Sequence, residues 1–150
     1  MGYRPPGRYF EEFQVGETFT TAARTVTEAD VVLFAGLSGD FNPVHTDEVT
    51  MRNSPFGGRI AHGMLVASIA TGLANRLGIF EGTTVALLEM NLRWTAPVKP
   101  GDTVHAVLEV TDKRETRHPD RGIVTLQVRV CNQEDACVME SSWKVMLRRR

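Results

Sequence analysis

Gly63-Met64-Leu65-Val66-Ala67-Ser68-Ile69-Ala70-Thr71-Gly72-Leu73-Ala74-Asn75-Arg76-Leu77 carries the strongest apolar signal in the chain, and its reading decides the fold. Leu65, Ile69, Leu73 and Leu77 recur every fourth residue, and Met64 and Val66 widen the stripe. Ala61, Ala67, Ala70 and Ala74 let other backbone approach closely. This spacing predicts a helix of about four turns, apolar enough to be largely buried. Gly78 is placed to end it.

Beyond this helix the period falls from about four to two. Val85, Leu87 and Glu89 open a run that reaches Trp94. Val104, Ala106, Leu108 and Val110 then alternate with more polar neighbours. So do Val124, Leu126, Val128 and Val130, and finally Trp143, Val145 and Leu147. Such alternation predicts half-buried strands. Lys99-Pro100-Gly101-Asp102 reads as a type II turn, and Arg117 to Gly122 as a hairpin loop. On the other side, Thr27 with Asp30 resembles a capping box opening a helix, which Gly36 and Gly39 bring to a stop. Ser38 to Pro43 reads as a loop, Asp47 to Met51 as a short turn of helix, and Thr18 to Val26 as a further strand. Residues 1–8 look like an N-terminal arm. The order is strand, helix, loop, long apolar helix, then four strands joined by hairpins. Strands grouped after helices predict an α+β class with an antiparallel sheet wrapped around one long central helix. One sheet face would remain bare, which favours a dimer.

A chain of 150 residues with 42% apolar and 23% charged side chains is one ordinary globular domain, 1–150. The net charge of −1 argues against electrostatic binding of nucleic acid. The Arg148-Arg149-Arg150 cluster reads as a solvated tail. No run approaches the roughly 20 apolar residues of a membrane-spanning helix. Met1 to Arg8 lacks the apolar core of a signal peptide. Cys131 and Cys137 form no Cys-x-x-Cys pair and read as small buried or half-buried hydrophobes in a reducing compartment. A cytoplasmic protein is expected.

The segment with chemistry is Gly39-Asp40-Phe41-Asn42-Pro43-Val44-His45-Thr46-Asp47. It sets an acid and an imidazole five positions apart in a segment bounded by Gly and Pro. Together they could hold a water and move its proton. The same residue types also build ordinary turns and caps. Asp40, His45 and Asp47, with His62, could instead be metal ligands, although no His pair has helical i, i+4 spacing. A second segment, Gly57-Gly58-Arg59-Ile60-Ala61-His62-Gly63-Met64-Leu65, leads into the apolar helix. The helix N-terminus offers unpaired N–H groups, and a carbonyl could closely approach the N–H of Gly63. Alternatively Gly63 serves only tight packing and His62 is a helix cap. Spacing does not decide between these.

These two segments resemble the hydratase-2 motif of the MaoC-like, (R)-specific enoyl-CoA hydratase family. Asn91 to Val98 and the Lys99-Pro100-Gly101-Asp102 turn are similar to that family's later strand and turn, so the resemblance spans roughly residues 10–147. It implies a hotdog fold, normally in dimers. It implies a hydro-lyase that adds water reversibly to a trans-2-enoyl thioester, giving the (R)-3-hydroxyacyl product, with no metal and no cofactor. By motif position Asp40 and His45 match the catalytic pair, and Gly63 the residue whose N–H holds the thioester oxygen. Asn42 would brace the pair. Thr71 stands where the family's helix often carries a serine, keeping the hydroxyl and adding a methyl. The expected partners are an acyl-CoA or acyl-carrier-protein thioester and a second copy of the chain. Arg59, Arg93 and Lys99 are basic residues that could meet CoA phosphates. The competing readings are a hotdog thioesterase, which usually needs a carboxylate on the central helix where Met64 to Leu77 has none, and a non-catalytic acyl-thioester binder.

Overall fold

Alternation along the C-terminal half builds a sheet with one dry face. In the computed structural model, which describes residues 2–150, β3 (Thr84–Trp94), β4 (Thr103–Glu115), β5 (Arg121–Cys131) and β6 (Cys137–Arg148) are its long strands. Val104, Ala106, Leu108 and Val110 of β4 and Val124, Leu126, Val128 and Val130 of β5 are sealed completely from solvent. The apolar helix α4 (Gly63–Asn75) lies against this face and contributes Leu65, Val66, Ile69, Ala70 and Leu73 to the same core. Burying each large side chain of this kind contributes roughly 1.5–3 kcal/mol. Its alanines allow the close approach that bulkier residues would block, and Ala70 and Ala74 have no exposed surface. Met64 is the exception to the predicted stripe, half exposed at the helix entrance. The helix ends at Asn75, and Gly78 adopts its positive φ of 77° in the turn beyond rather than at the cap.

The sheet order is β1-β4-β5-β6-β3. β4, β5 and β6 follow one another as antiparallel hairpins, as the turn signals predict. β3 does not pair with β4. Its partner is β6, Asn91 opposite Ser142, so the chain crosses the sheet between β3 and β4 instead of turning back. The Lys99–Asp102 turn falls on that crossing, with Gly101 at φ 99° and the Asp102 N–H donating to the Lys99 carbonyl. The predicted N-terminal strand is two short pieces, β1 (Thr18–Thr20) and β2 (Arg24–Thr25), both paired along the outer edge of β4. β3 is the opposite edge. Val85, Leu87 and Leu88 on it are about half exposed, so the buried alternation expected there is absent.

Two terminal expectations change. The residues before Tyr9 dock onto the turn after α4, where Gly7 and Arg8 N–H groups donate to the Glu81 and Ile79 carbonyls; Met1 lies outside the described residues. The C-terminal arginines are not a solvated tail. Arg148 is in β6, Arg149 pairs with Glu11 and Glu115, and Arg150 pairs with Glu12. These contacts tie the end of the sheet to the 3-10 turn Phe10–Glu12. Cys131 and Cys137 are free, half-buried and directly opposite one another across β5 and β6. Among the described residues no helix is long and apolar enough to cross a membrane.

Candidate active site

Three short helices frame the mouth of α4. α1 (Glu28–Ser38) starts with the predicted capping box: the Asp30 N–H donates to Thr27 Oγ1, and the Thr27 N–H donates to Asp30 Oδ2. Gly36 lies within it, and Gly39, at φ 76°, is the residue that stops it. The Gly39–Asp47 segment is then partly helical. α2 (Pro43–Thr46) begins on Pro43, and the Asn42 side chain accepts from the Val44 N–H at 3.1 Å. Proline at the first helical position and an Asn cap are a favourable start. Their effect is to set the direction of His45. α3 (Glu48–Arg52) is capped by Asp47, which accepts from the Thr50 N–H and hydroxyl. Those bonds hold the Asp47 carboxyl below its usual range. Asp47 is therefore committed to a cap and does not join the acid and imidazole.

His45 is buried, and its Nδ1 donates to the Ile60 carbonyl at 2.8 Å. A carbonyl only accepts, so Nδ1 carries the hydrogen and Nε2 is turned toward Asp40 Oδ2, 3.7 Å away. Asp40 is half exposed, and its Oδ1 accepts from the Asn42 N–H at 3.2 Å. Asn42 thus contacts both halves of the pair: its N–H meets Asp40 and its side chain starts the helix bearing His45. His62 is more involved than a cap. Its side chain makes no capping bond; the ring stacks on His45 with centroids 3.7 Å apart, and Nε2 donates to the Asp40 carbonyl at 2.9 Å. Asp40, His45 and His62 each bring one donor atom within 4.8 Å of the others, a cluster that could also hold a metal ion. Sequence spacing named His62 only as a cap or a ligand, because stacking between residues 45 and 62 is decided by the loop between them. That loop is fixed by the Ile60 and Ala61 N–H groups, which donate to the Val44 and Val98 carbonyls.

Gly63 opens α4 beside this cluster, and its N–H has no acceptor among the described residues. Gly63 is also tightly packed. An added Cβ would stand 2.6 Å from the Trp94 indole, whose Nε1–H donates to the Gly63 carbonyl at 2.9 Å. All of these residues line one cavity of about 720 Å³, within the range of roughly 300–1,000 Å³ typical of ligand sites. Phe34, Phe56, Met64, Val66 and Trp94 make most of its wall apolar. Thr71 is not among its residues. It sits two turns along α4, lines a separate cavity with Asn75 and Trp143, and spends its hydroxyl on the Ser68 carbonyl. About 12 Å of helical rise separates it from Gly63.

Arg59 is likewise occupied. Its guanidinium pairs with Glu28 of α1 and Glu48 of α3, clamping both helices to the loop before α4. The Arg59 bonds hold both carboxyls below their usual value of 4.5. A depressed carboxylate stabilises the fold above its unfolded value, and the contribution fades as pH falls through its folded value. Arg59→Met should therefore lower the melting temperature at pH 7, and the gap to the unaltered protein should close below about pH 4. Thermal melts across that range check this. Arg93 lines a different surface hollow, with Gln127 and Glu140.

The MaoC-like domain family matches residues 12–132. The chain is 37% identical over 140 residues to an (R)-specific enoyl-CoA hydratase of Rhodospirillum rubrum, covering 93% of this chain and 91% of that one. It is 44% identical over 112 residues to Protein MaoC of Klebsiella aerogenes, covering 75% of this chain but only 32% of that protein, so it spans about a third of that relative. A solved structure of a monoamine oxidase regulatory protein from Archaeoglobus fulgidus superposes with a TM-score of 0.89 at 36% identity, covering 96% of each chain. With an antiparallel sheet wrapped around its buried helix in the hotdog manner, the chain belongs to the MaoC-like dehydratase family.

Proposed function

We propose that this protein catalyses the reversible addition of water to a trans-2-enoyl thioester, giving the (R)-3-hydroxyacyl thioester. The observation that carries this reading is the Asp40–His45 pair, 3.7 Å apart, in the same apolar cavity as the Gly63 N–H, which has no acceptor among the described residues. The enoyl thioester is electrophilic at Cβ, and attack there puts negative charge on the thioester oxygen. The Gly63 N–H, at the positive end of α4, would stabilise that charge. Asp40 and His45 would hold the attacking water, take its proton and return one to Cα. The acyl chain would lie against Phe34, Phe56, Met64 and Trp94. No step calls for a metal or a cofactor. Hydration is favoured over thioester hydrolysis because α4 carries no carboxylate to aim at the carbonyl carbon.

The substrate carrier is read as CoA or an acyl-carrier protein. With Arg59 held by two carboxylates, Lys99, close to Gly57 beside the cavity wall, is the better placed cation for its phosphates. The exposed apolar face of edge strand β3 would be covered in a homodimer. The test is hydration of crotonyl-CoA, followed by loss of conjugated-thioester absorbance with chiral analysis of the product. An (R)-3-hydroxy product is expected. An (S) product, or no turnover of any enoyl-CoA from short to long chain by folded protein, would overturn the reading.

A further inference from the structure

We propose that His62 is a positioning residue that holds both members of the Asp40–His45 pair in register; the proposal rests on the hydratase reading for its kinetic consequence. Two contacts of the ring and one of its backbone meet at this residue. Its Nε2–H donates to the Asp40 main-chain carbonyl at 2.9 Å, fixing the backbone from which the acid projects. Its face lies on the His45 ring, 3.7 Å between centroids and only 26° from parallel, so that His45 cannot rotate about its Cβ without moving His62. Its own main-chain carbonyl accepts from the Leu65 and Val66 N–H groups and starts α4, one residue before Gly63. Acid, imidazole and helix N-terminus are thus tied to a single side chain and its backbone.

The ring's protonation pattern follows from its partners. The Asp40 carbonyl can only accept, so Nε2 bears the hydrogen. Nδ1 is buried and has no hydrogen-bond partner among the described residues, in a residue only 2% exposed. Orphaned buried polar atoms are uncommon and call for a reason. Here leucine or phenylalanine would pack this position without leaving an orphan. What the imidazole adds is the Nε2 bond to Asp40, in a ring small and flat enough to stack on His45, with the Phe34 ring tilted beside it at 5.0 Å. The orphaned Nδ1 is the consequence of using a histidine for a donor and a stacking face at once. The two rings then have matched orientations: His45 donates from Nδ1 to Ile60 and turns Nε2 to the acid, while His62 donates from Nε2 to the acid's own backbone.

The experiment uses the full chain with ¹⁵N-labelled histidine. In the unaltered protein at the assay pH, long-range ¹H–¹⁵N spectra should show His62 hydrogen on Nε2 and bare Nδ1, and His45 hydrogen on Nδ1. His62→Phe keeps a stacking ring and loses the donor; His62→Gln keeps a donor and loses the ring. Each should lower kcat by about 10- to 100-fold, the usual cost of removing an orienting contact. KM should change by less than about threefold, because no substrate contact is removed. In both variants the His45 ring signals should shift and broaden as the ring loses its fixed orientation, with the hydrogen staying on Nδ1 against Ile60, which a role confined to stability would not produce. Hydrogen on Nδ1 of His62 in the unaltered protein overturns the proposal, whether or not the variants fold. So do folded variants with kcat within about threefold of the parent and an unchanged His45 signature. Should the unaltered protein hydrate no enoyl thioester, the hydratase reading falls on its own, and the ring spectra still decide the positioning.

Discussion

Asp40→Asn is expected to leave the melting temperature close to that of the parent and to reduce crotonyl-CoA hydration by about 10³-fold, within the range lost with a general acid or base. The substitution is nearly isosteric. Asn can still accept the Asn42 N–H through its Oδ1, so the turn that Asp40 begins should persist. Asp40 is half exposed and, among the described residues, tied to no lysine or arginine, which keeps the structural cost small. What the amide cannot do is take or return a proton opposite His45 Nε2. His45→Ala should cost similar activity, but with a visible loss of stability. His45 is buried, donates to the Ile60 carbonyl and supports the His62 ring, so its removal opens a cavity and frees a carbonyl. The contrast between the two melts is itself informative. Turnover near the parent's from either folded variant would defeat the assigned chemistry. Unfolding of Asp40→Asn would show instead that the acid belongs to the turn.

How much of this was legible in the sequence depended on how local the determinants were. The α4 stripe, the alternation in β4 to β6, the Thr27–Asp30 box and the Lys99–Asp102 turn rest on neighbours a few residues apart, and each is found where the pattern places it. The β3 connection was misread for the opposite reason. Its partner β6 lies about 50 residues on, and nothing near Trp94 distinguishes a crossing from a hairpin. Arg59 and Arg149 looked like free surface cations because their carboxylate partners are distant in sequence: Glu28 for the first, Glu11 for the second. The motif residues Asp40 and His45 do meet, yet the geometry that orients them comes from Ile60 and His62 on another segment. Gly63 carried two readings that sequence could not separate, and the structure shows features compatible with both.

The two readings of Gly63 can be separated by experiment, and the expected effect is large. Gly63→Ala alone should damage both stability and activity, since its Cβ would press into the Trp94 ring at 2.6 Å. That result would not distinguish packing from an oxyanion contact. In a Trp94→Ala background the obstruction is gone, and Trp94 is exposed enough for the background to fold. There, Gly63→Ala retains the main-chain N–H and should recover most of the background's turnover. Gly63→Pro replaces that N–H with the ring Cδ, so no donor is left at this nitrogen. Gly63 is the first residue of α4, the helical position where proline is best tolerated. His62 before it has ψ of 134°, the extended backbone that a following proline requires. The helix should therefore form equally well in both double variants, which circular dichroism and melting would confirm. If the N–H stabilises the thioester oxygen as charge develops, kcat of the proline variant should fall a further 10²- to 10³-fold below the alanine variant, the usual cost of one oxyanion donor. Equal turnover in the two would leave Gly63 as a packing residue and return the oxyanion role to another donor at the same helix end.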